Sequence, residues 1–500
     1  MKQKAVIIGG GLGGLFTGAF LSKEGVEVTV LEKNNVIGGG LQCFKRNGTC
    51  FETGMHILGG FHPGGSLNRI CTYLGILDKL EIRHTDADAM DAILYGEDGY
   101  CYTLPTGKDA FTRYLQQQFP ADSEGIKRYM DAMYALSYEV DAFYLRSSEM
   151  SLFSHSDDFF MPADEFIAQY VSDRRLRDLL AYMSPMYGGI AGHTPAYVHA
   201  LINVLYINGS SQFVDGSQQL ADRLAEVIES CGGHVIAGDA VESVKVVDRV
   251  VESVMTKSKK QYVGDWYISD VHPATLFALT GDGAFPRIYV NRIKEIPNSY
   301  SAFSVYIKFK PESYPYVNHP CYFQENYETV WNLGDYTEDS FPQGFMFITP
   351  PTHNQGPWAN RMIINCVMPF DAVRRWEHTT IGHRGNDYVE WKERLTNKVI
   401  AKMDMLKPGF RDAIDVSFAS SPLTIRDYYG VKEGSLYGHR CDCKNMLQSQ
   451  MPIATKVRNL LLTGQNVNLH GICGVPLTAI ETAEAIVGRG VILDKINNHK

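Results

Sequence analysis

The stretch AVIIGGGLGGLFTGAFLSKEGVEVTVLEK, Ala5 to Lys33, decides the fold, because it holds a complete nucleotide-binding unit. Val6, Ile7 and Ile8 form an apolar run without alternation, as a parallel strand buried on both faces requires. Gly9, Gly11 and Gly14 follow at the G-x-G-x-x-G spacing. The first glycine lets the chain turn off the strand. The second lets backbone N–H groups approach a pyrophosphate, and the third lets the next helix pack on the sheet. A helix from Leu12 to Glu24, with Gly13 and Gly14 in its first turn, aims its amides at the phosphates. Val26 to Leu31 returns as a second strand. Glu32, just past its end, is placed to accept both hydroxyls of an adenosine ribose, an arrangement that disfavours NADP.

With 46 glycines in 500 residues, the bare motif arises by chance roughly 0.4 times per chain. Gly18 and Gly25 extend it to G-x-G-x-x-G-x3-G-x6-G, and with the acid at position 32 the chance expectation falls to on the order of 10⁻³. This longer pattern resembles the FAD form of the fingerprint. Met1-Lys2-Gln3-Lys4 before an apolar run imitates a secretory signal, but glycines occupy the place of a signal's apolar core.

Five hundred residues exceed a single core, so two or more domains are expected. A net charge of −9 without any basic run argues against nucleic acid as a partner. The ten cysteines are scattered without a framework, which points to a reducing compartment. No apolar run reaches bilayer-spanning length. The expected location is cytoplasmic, with peripheral membrane contact left open.

After Glu32 and Lys33 comes a second glycine-dense loop, Gly38-Gly39-Gly40-Leu41, then a hairpin turning at Asn47-Gly48 and returning over Thr49 to Glu52. Phe51-Glu52-Thr53-Gly54-Met55-His56 follows, where the imidazole of His56 is a candidate for proton transfer near neutral pH. From Ile70 to about Tyr206 helical periodicity dominates, with Tyr129, Met130, Met133, Tyr134, Leu136 and Tyr138 expected on one side. Leu179 to Ile207 is the most apolar long stretch, broken by Pro185, Gly188-Gly189 and Pro195; it reads as a core helical hairpin or as the wall of an apolar tunnel. Asp215-Gly216-Ser217 caps a helix through Cys231, His234 to Ala237 resumes a strand, and Val241 to Val254 alternates as a hairpin. Aromatic-rich strands then run from about Phe285 to Phe418, namely Tyr300 to Lys310, Met346 to Pro350 and Arg361 to Met368, with a helix from Tyr388 to Met405. Their apolar face suits either ordinary packing or the lining of a cavity for an elongated ligand. Cys441-Asp442-Cys443 has the wrong spacing for a zinc or redox C-x-x-C, so no metal is expected. Near the end, in Asn459-Leu460-Leu461-Leu462-Thr463-Gly464-Gln465-Asn466, an apolar strand ends in a glycine, and after Gly471-Ile472-Cys473-Gly474-Val475 a helix Pro476 to Val487 begins on a favoured proline. That helix would set its positive end against a flavin pyrimidine ring.

The runs EKNNVIGGGLQCF and FETGMHILGG resemble the phytoene desaturase and carotenoid isomerase superfamily, most of all its retinol saturase-like branch. Many members carry Gly-Gly-Arg where this chain has Gly38-Gly39-Gly40, a departure that fits the saturase-like branch better. The segment from Ser421 through Tyr429 to Gly438 is similar to the block that crosses between substrate and flavin. Leu462-Thr463-Gly464-Gln465, a gap, then Gly471-Ile472-Cys473-Gly474-Val475 resembles the branch's carboxyl-terminal signature.

The resemblance implies an α/β chain: a Rossmann-type FAD-binding domain, amine oxidase- and phytoene desaturase-like, assembled from residues 1–75, 210–284 and 420–500. An α+β substrate domain is inserted over 76–209 and 285–419. It implies that Gly9, Gly11, Leu12, Gly13, Gly14, Glu32, Lys33, Gly39, Gly40, Leu41, Gly54, Met55, Val241, Gly464, Gln465, Gly474 and Val475 hold FAD, Val241 through its backbone at the adenine end. His56 is the catalytic candidate. The implied reaction is hydride transfer between flavin and a carbon of a polyene, isoprenoid or similar lipid: saturation, with desaturation or cis–trans isomerisation as rivals. A single dinucleotide fingerprint means that electrons arrive from, or leave to, a transient partner. The absence of C-x4-C disfavours disulfide reductases. An amine oxidase and a non-catalytic isoprenoid escort protein are the remaining alternatives.

Overall fold

The computed structural model describes residues 2–54, 56–147, 155–446 and 451–499. Its centre is a five-stranded parallel sheet made from three distant stretches of chain. Strand β1, Lys4–Ile8, pairs on one side with β2, Glu27–Leu31, and on the other with Trp266–Ser269. His234–Ile236 extends the β2 edge and Leu460–Leu462 the opposite edge. Parallel strands need crossovers that cover both faces. Ala5 and Ile7 pack with Leu15, Phe16 and Phe20 of helix α1, Leu12–Lys23, on one side. Val6 and Ile8 pack with Val244, Val251 and Val254 on the other. The latter come from the hairpin Val241–Val247 and Val250–Thr256.

Helix α1 is apolar all round and accordingly buried over residues 13–22. Gly18 makes that possible, since a Cβ there would stand 2.9 Å from Ile228 Cδ1 of the neighbouring helix Gln218–Ser230. Of the two hydroxyls within α1, that of Thr17 meets the Thr463 hydroxyl at 3.0 Å, whereas Ser22 Oγ is buried without a partner.

A seven-stranded sheet forms the second body of structure, in the order Ile414–Ser420, Ser301–Phe309, Arg361–Met368, Gly344–Ile348, Cys321–Gln324, Asp91–Tyr95, Cys101–Leu104. All its pairs are antiparallel except Cys321–Gln324 with Asp91–Tyr95. Strand Ser301–Phe309 is buried on both faces by two different partners. Phe303, Val305, Ile307 and Phe309 pack with Trp391, Leu395, Val399 and Met403 of helix Asn386–Leu406. Ala302, Ser304 and Tyr306 point the other way.

Four expectations are corrected. Residues 91–95 and 101–104 lie in the stretch read as helical, yet they form a strand pair, and 91–95 is joined to the large sheet by pairing with Cys321–Gln324 far along the chain. The helix expected to begin at Pro476 begins at Gly471, where a φ of +76° turns the chain one turn early and leaves the proline inside. Ser217 does not cap its helix with its side chain, because its hydroxyl donates to the carbonyl of Leu41 at 2.8 Å. Tyr138, expected on the buried side of helix Ser123–Tyr138, is 62% exposed at its end. The Asn47-Gly48 turn forms with φ of 49° and 76°, as a two-residue hairpin demands. Among the described residues no helix is long and apolar enough to cross a membrane.

Candidate functional site

The turn after β1 is built by contacts that leave no room for side chains. Gly9 takes a φ of +106°. A Cβ on Gly14 would collide with the carbonyl oxygen of Gly9. The second glycine loop lies directly against the first: the N–H of Gly38 donates to Gly10 O at 2.7 Å, and a Cβ on Gly39 would come within 3.2 Å of Gly11 Cα. Glu32 is buried and ties these pieces together. Its Oε2 accepts the N–H of Gly10 and its Oε1 that of Asn34, both at 2.8 Å. Each oxygen keeps a lone pair for a further donor.

These residues line one cavity. Its nucleotide side is walled by Gly9, Gly11, Leu12, Gly13, Glu32 and Lys33, then by Gly39, Gly40, Leu41 and Gly54, with Val241 at one end and Gln465, Gly474 and Val475 opposite. His56 is on the wall as well. Gly14 and Gly464 stand behind it: Gly14 supports the turn, and Gly464 takes a φ of +88° against Asp270. Met55 lies outside the described residues. Val241 begins its hairpin where the ladder to the partner strand is interrupted before Ser243. The amine of Lys33 donates to the carbonyl of Asp427 at 2.9 Å, and burial lowers its pKa. Lys33 therefore anchors the end of helix Pro422–Tyr429 over the acid.

The same cavity continues into an apolar chamber. Helix Ala196–Ile207 contributes Val198, Leu201, Leu205 and Tyr206, and the large sheet contributes Ala302, Tyr322, Met346 and Val367. The long apolar stretch is thus both core helix and cavity wall, and the sheet both packs on a helix and lines a chamber. Polar groups in this wall are few: Gln324, and Ser304 donating to Asn365 at 2.6 Å across adjacent strands.

Three side chains that the sequence reading passed over stand at the junction. His470 ends the loop into helix Gly471–Val487 and lines the cavity. Its Nε2 is buried without a partner, and burial pushes the imidazole down to about 4. Tyr429, pushed up by burial, is why position 54 must be glycine, since a Cβ there would collide with its hydroxyl. Asp270 follows strand Trp266–Ser269 and borders the glycine turn. The strand end was readable, but the residue's meaning required seeing three distant glycines around it. His56 has Glu52 behind it, Nδ1 to Oε2 3.5 Å, with Glu52 buried. That is a positioned imidazole on the wall, at long hydrogen-bond range.

A dinucleotide fits these residues. Two glycine loops meet without side chains between them, a buried acid follows the second strand, and the His470 imidazole lines the space.

A family model described as NAD(P)-binding Rossmann-like domain matches residues 7–74. The all-trans-retinol 13,14-reductase of Macaca fascicularis is 26% identical, over 99% of this chain and 87% of that protein. Prolycopene isomerase 1, chloroplastic, of an Oncidium hybrid cultivar is 22% identical, over 87% of this chain and 75% of its own. Among solved structures, an oxidoreductase from Methanosarcina mazei has the same fold, with a TM-score of 0.65 at 16% identity over 96% of this chain and 100% of that one.

Proposed function

We propose that this chain, a member of the phytoene desaturase and carotenoid isomerase superfamily, is an oxidoreductase that uses FAD to saturate a carbon–carbon double bond of an apolar polyene or isoprenoid lipid, as a retinol 13,14-reductase does. The observation that carries this reading is the single cavity that joins the glycine loops to the apolar chamber. When bound, FAD supplies two-electron hydride chemistry. The chain's own residues bind, orient and exclude water. Glu32 holds the ribose hydroxyls, and the amides of the two glycine turns face the phosphates. The first turn of helix Gly471–Val487 presents free N–H groups to the ring. Leu201, Leu205 and Met346 hold the hydrocarbon and keep water from the reacting carbon. His56 holds a proton at Nε2 for the carbon opposite the hydride, with Glu52 behind Nδ1. Reducing equivalents come from a transient donor, and the substrate's lipid character makes peripheral contact with a membrane part of the proposal.

A redox-neutral cis–trans isomerase is the second reading, favoured by the likeness to prolycopene isomerase over most of the chain. The test begins with the visible spectrum of the purified protein. A saturase is expected to be yellow, to bleach with dithionite, and to regain colour when an anaerobic polyene is added, with a dihydro product. Isomerised product without reoxidation favours the isomerase. A colourless protein that takes up no FAD in excess removes both.

A further inference from the structure

An acid stands where the reading above puts a diphosphate. The carboxyl of Asp270 lies within a ring of three glycines: a Cβ on Gly11 would come within 2.7 Å of Oδ2, and a Cβ on Gly13 or Gly464 would collide with Oδ1. The N–H groups of Gly11 and Gly14 lie near enough to this carboxyl to favour its charged form. Amides at the start of a dinucleotide-binding helix ordinarily face phosphate oxygens. Here a side chain of the protein itself lies against the same turn.

The surroundings of Asp270 disfavour its charge. Burial raises its pKa most, Glu32 at the end of β2 pushes the same way, and the two glycine amides oppose them, leaving it at about 7. From α1 it meets uncharged amides, and from the turn after Leu460–Leu462 it meets Gly464. His272, two residues on, is itself kept neutral by burial, down to about 4, with its Nδ1 accepting the N–H of Ala274. The charged group acting on Asp270 is thus another carboxylate.

We propose that Asp270 binds the cofactor's diphosphate in its protonated form, as a hydrogen-bond donor, so that cofactor binding takes up one proton from solution. The inference rests on the FAD reading. An ionised Asp270 beside Glu32 and a diphosphate would gather three anionic groups at one turn. A neutral carboxyl lets its O–H face a phosphate oxygen while its carbonyl oxygen keeps a glycine amide. The balance is one ionised carboxyl plus one proton giving one carboxylic acid, with no electron moved.

The sign follows from linkage. A carboxyl whose pKa is raised in the folded protein contributes stability that is full below the ordinary carboxylate range and is lost as pH rises toward about 7. An anionic ligand raises that pKa further, so its affinity falls with pH above about 7. The experiment titrates apoprotein with FAD by flavin fluorescence from pH 5.5 to 8.5, and by calorimetry in two buffers of different ionisation enthalpy. The dissociation constant is expected to be flat below about pH 6 and to rise about tenfold per pH unit above 7, with close to one proton taken up at pH 8. Asp270→Asn should bind with no pH slope and no proton uptake. Without FAD, it should melt higher than the parent, and by more at pH 8 than at pH 5. FAD binding to the parent protein with a flat pH profile and no uptake overturns the inference and spares the flavin reading. No FAD binding at any pH overturns both. If Asp270→Asn fails to fold, proton uptake by the parent protein decides alone.

Discussion

The two walls of the cavity are made of different material. The nucleotide wall is backbone: glycine turns, strand ends and helix amides, whose positions follow from local chain geometry. The wall of the chamber is side chain: Leu201 and Leu205 from one helix, Tyr322, Met346 and Val367 from strands brought together across the whole chain. A wall of backbone tolerates little substitution where, as at Gly13, Gly14 and Gly474, an added Cβ meets backbone atoms that cannot rotate away. A wall of side chains tolerates exchange, because neighbouring rotamers adjust, and it sets what the chamber accepts.

The strongest way to break this contrast is Gly14→Val. The added carbons collide with the Gly9 carbonyl, so we expect loss of bound flavin with FAD affinity down about 100-fold or more, about 2.7 kcal/mol, together with a lower melting temperature. Retention of normal flavin content would show that the turn gives way and that the wall is softer than argued. His56→Ala probes the seam between the walls. If the imidazole moves a proton, turnover should fall about 100-fold with flavin content unchanged, and equal turnover removes His56 from the chemistry. Leu201→Phe probes the side-chain wall alone. It should leave the flavin spectrum and stability close to the parent and raise KM for a long polyene about tenfold, about 1.4 kcal/mol. A drop in flavin content there would mean that the two walls are one mechanical unit.

The nucleotide wall was also the part most legible in sequence. Strand, glycine turn, helix and second strand from Ala5 to Glu32 form within two residues of where they were read, because each is dictated by neighbours close in the chain. The second glycine loop and its Asn47-Gly48 hairpin were readable for the same reason. The chamber was not. Residues 91–95 alternate between buried and half-buried as a strand should, but the parallel partner is Cys321–Gln324, more than two hundred residues later. Pro476 misled for a physical reason: proline is favoured at a helix start, but the glycine at 471 turned the chain first.

The amino-acid sequence by itself determined that a dinucleotide unit opens the chain, that an acid follows its second strand, and that a long apolar stretch lies near the middle. Each of these is a property of residues within a few positions of one another, and backbone sterics act over that range. Only the tertiary structure decided that Asp270, Gly464 and the first glycine turn share one small volume, that His470 lines the cavity with its Nε2 unpaired, and that the apolar stretch forms a cavity wall as well as core. Those facts come from packing between segments hundreds of residues apart, where the buried neighbours of a side chain, and so its charge and its role, are set by which surfaces the whole chain brings together.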